Sequence, residues 1–212
     1  RKMSDKSKIL FYCQHSLGMG HLVRSFALAE KLSEKFSVIF LNGGRLPKKL
    51  KVPENIRIIN LPPLGFDGNS QLVSLDKRRT VERCQTLREQ IILDTFKSEN
   101  PSALIIELFP FGRKKFQNEL LPLLEAAKGK AKILCSLRDI LVGQRRDQAR
   151  HEERAVKIAN EFFDAILVHS DKDFARLEET FQPATPLQVP VFYTGFVAKN
   201  DALDFGKKDE NQ

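Results

Sequence analysis

Two glycines, a histidine and an arginine form the segment of this sequence whose residue types and spacing best suit chemistry. The segment is Gly18-Met19-Gly20-His21, with Arg24 three residues further on. Glycine tolerates positive φ and lets backbone N–H groups approach a ligand closely. A helix that begins here points the positive end of its dipole at that ligand. We therefore predict that Gly18, Met19 and Gly20 bind substrate, and that His21 lies near it in the first turn of the helix.

Further candidate residues lie on the same predicted helix or follow other apolar segments. The guanidinium of Arg24 can hold a carboxylate or phosphate from the neighbouring helical surface. Glu107 directly follows an apolar segment, so it is a further candidate site residue. The remaining predicted substrate-binding residues are Gly43, Gly44 and Arg138.

Purely structural roles are the alternatives for these residues. His21 can simply pack at a helix start, and Arg24 can be a solvated surface residue. Glu107 can form a salt bridge with Arg113 or Arg138, and Arg138 can pair with Asp139 to close a loop.

Several familiar ligand sites are excluded by residue type. Dinucleotide binding requires a third glycine where Val23 stands, and an acidic residue where Asn42 stands. No Gly-x-x-x-x-Gly-Lys-Ser/Thr segment is present, which excludes a P-loop. The four histidines lack metal-ligand spacing, so no metal site is predicted; they are His15, His21, His151 and His169.

Short apolar segments alternate with helical patterns along the chain. The predicted strands are Ile9–Cys13, Ser37–Leu41, Ile56–Leu61, Ala103–Ile106, Ile133–Leu137, Ala165–Val168 and Val189–Tyr193. Helices are predicted near 21–34, 84–96, 116–127, 152–162 and from Ser170 onward, with a kink or restart at Pro122 and a long loop over 62–78. The continuously apolar strands predict an α/β fold, a Rossmann-like doubly wound parallel sheet of about six or seven strands with helices on both faces. Ligands of such sheets bind at the carboxyl ends of the strands, where the candidate residues fall.

Composition limits the class of protein. The chain has 212 residues, 42% of them hydrophobic and 29% charged, and a formal net charge of +8. No apolar segment approaches the length of a membrane span, and three cysteines in apolar or helical patterns predict buried, reduced thiols in a cytosolic protein. The basic excess favours anionic partners such as phosphates.

The segment Ile9–Leu32 resembles the opening of GT-B-fold glycosyltransferases. It is most similar to those akin to the N-acetylglucosaminyltransferase that completes lipid II, and to predicted glycosyltransferases that share Gly-x-Gly-His-x-x-Arg, here Gly18 to Arg24. The segment Ile105–Arg113 resembles the fourth-strand region of that predicted group. The segment Tyr193–Val197 resembles the point where such enzymes leave their first Rossmann-like domain.

The resemblance implies the acceptor-binding half of a glycosyltransferase that transfers a hexosyl group from a nucleotide sugar, expected to be a UDP-sugar, to an acceptor hydroxyl. Residues 9–198 are then the acceptor domain, 1–8 a disordered N-terminus, and 199–212 a polar tail or linker toward a donor domain that the sequence lacks. By the same resemblance, His21 faces the interdomain cleft, where it acts as the catalytic base or donates to a phosphate, and Glu107 is the second candidate for the base. No cofactor or metal is required, and this half alone is inactive.

The implied partners are a nucleotide sugar and a small or lipid-linked sugar acceptor. Basic clusters are ordinary surface by default, but with the loop over 64–75 they also suit peripheral contact with the inner face of an anionic membrane. These clusters are Lys48–Lys51, Lys77–Arg79, Arg113–Lys115 and Arg145–Arg146. They lack interleaved aromatic residues, so no nucleic-acid partner is expected.

Two alternative functions stay open. The chain can be half of a nucleotide-sugar hydrolase or epimerase, since relatives in the pseudaminic-acid pathway place a histidine at the same motif position to activate water. It can also be a non-catalytic docking subunit of a two-chain glycosyltransferase.

Overall fold

A central parallel sheet organises the chain. The computed structural model describes residues 6–15, 19–138, 147–171, 173 and 176–195. The sheet contains β1 (Lys8–Cys13), β2 (Ser37–Asn42), β3 (Arg57–Asn60), β6 (Ala103–Glu107), β7 (Lys132–Arg138), β8 (Ala165–His169) and β9 (Val191–Tyr193). A separate antiparallel hairpin pairs β4 (Leu64–Phe66) with β5 (Leu72–Ser74). The helices are α1 (Gly20–Ser33), α2 (Val81–Glu99), α3 (Gln117–Ala127), α4 (Gln148–Phe162) and the single turn α5 (Leu177–Thr180).

The order of the strands reverses at β1. The seven strands lie in the order β3-β2-β1-β6-β7-β8-β9, and every neighbouring pair is parallel. The chain therefore proceeds outward from β1 to β3 and then returns to the other side of β1 at β6. This confirms the predicted doubly wound Rossmann-like sheet, and it opens a crevice between the carboxyl ends of β1 and β6.

Helices cover both faces of the sheet. On one face, α1 packs Leu22, Phe26 and Ala29 against Phe11 and Phe40. The rings of Phe11 and Phe40 stack with their centroids 5.2 Å apart. On the opposite face, α2, α3 and α4 pack against the other side chains of the strands. The alternation of side chains along β1 therefore assigns Tyr12 to the second core and Cys13 to the first.

The structure corrects three details of the predicted elements. Residues 62–78 contain the hairpin β4–β5, which sequence patterns miss because its strands have only three residues each. The helix α3 runs through Pro122 without restarting, since buried leucines anchor it on both sides of the proline. The last described helix begins at Leu177 instead of near Ser170; residues 172, 174 and 175 lie outside the described part of the chain.

Arg88 of α2 is completely buried, and acceptors surround its guanidinium. Its Nε and Nη2 donate to the two carboxylate oxygens of Glu119 on α3, at 2.8 and 2.7 Å. Its Nη2 also donates to the Gln14 side chain at 2.7 Å. Its Nη1 donates to the carbonyls of Gly43 and Pro62, at 2.7 and 3.0 Å. The charge of Arg88 is thus fully hydrogen-bonded, as a buried ion pair requires.

Tyr12 extends this Arg88 network into the sheet. Its hydroxyl donates to Glu119 at 2.6 Å. Burial, reinforced by the charge of Glu119, raises the pKa of Tyr12 well above its ordinary value, so the phenol keeps its proton. The Gln14 side chain donates to the carbonyls of His15 and Leu64, at 3.0 and 3.1 Å. The network therefore ties the carboxyl end of β1 to α2, α3 and the hairpin.

His169, the last residue of β8, is a second buried polar group. Its Nε2 lies 2.6 Å from the hydroxyl of Ser136, and its Nδ1 lies 2.8 Å from the hydroxyl of Thr194. Burial, reinforced by the positive charge of Arg24, lowers the pKa of His169 to about 4. The imidazole is therefore neutral at pH 7 and joins the carboxyl ends of β7 and β8 to the segment after β9.

We expect Arg88→Met to lower the free energy of unfolding by about 3–5 kcal/mol, because it leaves the Glu119 carboxylate buried without its partner. Denaturant unfolding measures this change. Arg83→Met, on the exposed surface of the same helix, is the matched control and should change stability by less than about 0.5 kcal/mol. Equal losses in the two variants would contradict the assigned role of Arg88.

We expect the free energy of unfolding to fall as the pH drops from 6.5 toward 4, because the unfolded chain protonates His169 in this range while the folded chain does not. The lowering of the His169 pKa from 6.5 to about 4 corresponds to a loss of about 3 kcal/mol in the free energy of unfolding once both states have been acidified below these values. His169→Gln should flatten this part of the stability profile. The same slope in both proteins, measured by denaturant unfolding at several pH values, would refute the assignment.

Candidate functional site

His21 and Glu107 meet at the crevice between β1 and β6. His21 is the second residue of α1, and Glu107 is the last residue of β6. The imidazole Nδ1 lies 2.5 Å from a carboxylate oxygen of Glu107. The Glu107 side chain is only 7% exposed, whereas the His21 side chain is 28% exposed. The structure thus brings together the two residues that the sequence singles out as candidate bases, with the carboxylate inside and the imidazole reaching solvent.

The contact through Nδ1 determines which nitrogen of the His21 ring can accept a proton. Glu107 accepts from Nδ1–H, which leaves Nε2 as the basic nitrogen. In the described part of the chain, no hydrogen-bond partner is present at Nε2. The pair is therefore arranged so that His21 can accept a proton from a molecule in the crevice.

Arg113 holds the second oxygen of the Glu107 carboxylate. Its Nη2 donates to that oxygen at 3.2 Å, and its side chain is 12% exposed. Glu107 therefore forms the salt bridge with Arg113 that the sequence offers as its structural alternative, and it also contacts His21. With one partner on each oxygen, the carboxylate has a fixed orientation.

A tight loop after β6 positions Arg113. Leu108 and Arg113 both have left-handed backbone conformations, with φ of 67° and 61°. Such conformations are rare for residues other than glycine and cluster at functional sites. Gly112 permits the loop to close, because a Cβ at this position would lie 2.7 Å from the Leu108 side chain. The Nε2 atom of His151 in α4 lies 2.9 Å from the Phe111 carbonyl oxygen, and this contact links the loop to α4.

The described residues leave the start of α1 open beside Gly20. Met19 is 36% exposed and provides no side-chain cap for the helix. Among the described residues, none would lie within 4 Å of a Cβ at Gly20, and the φ of Gly20 lies outside the left-handed region. Gly20 therefore does not use the positive φ that glycine tolerates, but the described residues leave space for a ligand beside it. Gly18 lies outside the described residues.

Two histidines that are distant from Glu107 in the sequence lie within range of its charge. The ring of His15 donates from Nε2 to the side-chain oxygen of Asn42, at 3.0 Å. Burial lowers the pKa of His15, and the charges of Arg113, Glu107 and His21 also act on it. The charge of Glu107 acts on His169 as well. The sequence misses this arrangement because it arises only when β1, β6 and β8 align their carboxyl ends.

Gly43 and Gly44 pack against the end of β1. A Cβ at Gly44 would lie 2.4 Å from the carbonyl oxygen of His15, and one at Gly43 would lie 2.1 Å from the side-chain oxygen of Gln14. Both glycines are buried. The structure thus gives them a packing role, and their contact with substrate stays a prediction.

Arg24 and Arg138 lie at the same edge of the sheet. Arg24 is half-buried in α1, and its charge helps to lower the pKa of His169. Arg138, the last residue of β7, is exposed and pairs in register with His169. Asp139, its predicted ionic partner, lies outside the described residues. Binding of substrate by either arginine stays a prediction.

Metal ligands and cysteine thiols are two further kinds of group that could act chemically at this edge of the sheet. Among the described residues, no group of three or more His, Cys, Asp or Glu side chains is placed to hold a metal ion. All three cysteines are free and buried, as predicted. Burial, reinforced by the charge of Glu107, raises the pKa of Cys13 to about 12, so this thiol is not a nucleophile at neutral pH. None of the described helices has the length and apolar character needed to cross a membrane.

Comparison of the sequence with protein-family models and with curated proteins gives no match. The structure, in contrast, is similar to solved structures of glycosyltransferases. UGT2 of Phytolacca americana, solved with UDP-2-fluoro-glucose and pterostilbene, matches with a TM-score of 0.54 and 15% identity over 94% of this chain and 56% of its own. A UDP-glucosyltransferase from Polygonum tinctorium matches with a TM-score of 0.54 and 12% identity, over 96% of this chain and 55% of its own.

The calicheamicin glycosyltransferase CalG4 matches with a TM-score of 0.50 and 12% identity, over 90% of this chain and 53% of its own. The chain spans just over half the length of each of these structures. At such identities the likeness establishes the fold. This chain has a Rossmann-like fold similar to that of about half of each of these glycosyltransferase structures.

Proposed function

We propose that this chain is the acceptor-binding half of a nucleotide-sugar-dependent glycosyltransferase, which transfers a hexosyl group to an acceptor hydroxyl. The observation that carries the proposal is the His21–Glu107 pair at the point where the strand order reverses. The fold shared with UDP-glycosyltransferases supports a UDP-sugar as the donor. A histidine–carboxylate pair in another fold would support many reactions, so both observations are needed.

In the proposed reaction, His21 acts as the general base. Its Nε2 takes the proton of the acceptor hydroxyl as the oxygen attacks the anomeric carbon of the donor. The bond from that carbon to the diphosphate breaks, and the diphosphate leaves with the electron pair. Glu107 accepts from Nδ1–H, fixes the tautomer and stabilises the imidazolium that forms. Arg113 acts through Glu107 by holding its second carboxylate oxygen.

The first turn of α1 supports the choice of a phosphorylated donor. Its amides carry the positive end of the helix dipole, no acidic residue lies in this turn, and Gly20 leaves the space in front open. A departing diphosphate gains stabilisation in such a place. The proposed chemistry needs no metal or organic cofactor, because acid–base and electrostatic effects supply what the transfer requires.

The finer identity of the reaction rests on the motif from Gly18 to Arg24. Its resemblance to the glycosyltransferase that completes lipid II supports a small or lipid-linked sugar as the acceptor and a cytoplasmic site of action at the inner membrane face. Hydrolysis is the competing function, because a base that accepts a proton from a hydroxyl also activates water. Incubation of the complete enzyme with a UDP-sugar and no acceptor separates the two, since rapid release of free sugar favours the hydrolase.

We expect His21→Ala in the complete enzyme to lower turnover at least about a hundredfold, the usual scale for loss of a general base. Steady-state transfer from a UDP-sugar measures this change. Lys31→Ala, at the exposed far end of the same helix, is the control and should leave the rate unchanged. An unchanged rate in His21→Ala would remove this residue from the mechanism.

We expect Glu107→Gln to lower turnover at least about tenfold, because the neutral amide no longer stabilises the imidazolium. If the two side chains act as a unit, the double variant with His21→Ala should be no slower than His21→Ala alone. Multiplied losses in the double variant would show instead that the two residues act independently.

A further inference from the structure

A groove of about 700 Å³ lies beside the carboxyl end of β3. The residues that follow β3, the segment after β5 and one side of α2 form its walls. It opens at the same edge of the sheet as the His21–Glu107 pair, because all seven strands of the sheet are parallel. The groove is thus a second place on this edge where a molecule can bind.

Positive charge dominates the rim of the groove. Four basic residues line it, and the only acidic residue among its lining residues is Asp76. The basic residues are Arg45, Lys77, Arg78 and Arg79. Asp76 pairs with Arg78 at 3.1 Å and with Arg79 at closer range, so one carboxylate orients two guanidinium groups. The rim keeps an excess of three positive charges, which favours an anionic ligand.

The base of the groove is apolar. Leu61 is buried, while Pro62, Pro63, Leu87 and Ile91 are half-buried along the wall. Apolar side chains beside a basic rim are suited to a molecule that has both an anionic group and an apolar body. Inorganic phosphate alone would contact the basic residues and leave the apolar side chains without a partner.

Hydrogen-bonded side chains lead from the groove to His15, just after β1. Asn60, in the groove, accepts at 2.9 Å from the side chain of Asn42, which in turn accepts from His15. His15 lies within electrostatic reach of Glu107. Three steps between adjacent strands separate β3 from β6, a distance of about 14 Å at the usual strand spacing. A ligand that joins both places must therefore be extended.

We propose that this groove binds the anionic group and adjoining apolar part of an extended acceptor, whose hydroxyl reaches His21. The anionic group is a phosphate or a carboxylate, carried either by a free amphiphile or by a lipid in a membrane. This inference rests on the proposed function and names the chemical class of its acceptor.

Titration of the chain with octyl phosphate, followed by calorimetry, tests the proposal. We expect binding at least about tenfold tighter than that of inorganic phosphate or of octanol, since each of these engages only one part of the groove. The variant Lys77→Glu/Arg78→Glu should weaken octyl phosphate binding at least about tenfold. The matched control, Lys48→Glu/Lys49→Glu, changes the net charge equally at exposed sites outside the groove and should keep the affinity.

Equal losses in the two double variants, or equal affinities for octyl phosphate and inorganic phosphate, would overturn the proposal. Vesicles of phosphatidylcholine with about one quarter phosphatidylglycerol identify the source of the ligand. Weaker vesicle binding by the groove variant alone indicates a lipid headgroup, whereas unchanged vesicle binding with weaker octyl phosphate binding indicates a free amphiphile. His21→Ala should bind octyl phosphate normally, so failure of the groove and failure of the proposed reaction are distinguishable.

Discussion

The buried ion pair between Arg88 and Glu119 is the interaction on which the geometry of the carboxyl edge depends. The guanidinium contacts Gln14 and the Gly43 carbonyl at the ends of β1 and β2, so it fixes where both strands stop. Burial of a charged group is tolerated only when every donor finds an acceptor. That requirement couples α2 and α3 to β1. Because His21 follows β1 in the chain, the position of the proposed base depends on a charge in the opposite core layer.

Much of the fold is predictable from the sequence, for a physical reason. Strands buried on both faces are continuously apolar, so segments such as Ile9–Cys13 are visible without any structure, and the order of strands and helices then limits the topology. The hairpin β4–β5 was not predictable, because three-residue strands around Gly65 carry no periodic pattern. Arg88 was also missed: it occupies a core position of α2 between Cys84 and Ile92, where its charge argues for solvent.

The candidate site was predictable in part. The motif around His21 and the position of Glu107 after a strand identify both partners separately, and parallel strands align their carboxyl ends. Their direct contact, and the participation of Arg113, depend on the left-handed turns of the loop after β6, which residue types do not reveal. The arrangement of His15 and His169 likewise depends on strand register.

The two partners of the proposed base are 86 residues apart in the chain. Their contact therefore closes a long loop. The free-energy cost of closing this loop is offset only when β1 and β6 pair inside a formed core. During synthesis, α1 emerges well before β6, so the imidazole has no carboxylate until the central strand has been added. Partly folded chains that lack this strand are consequently unable to perform the chemistry, and competence for the reaction arises together with completion of the sheet.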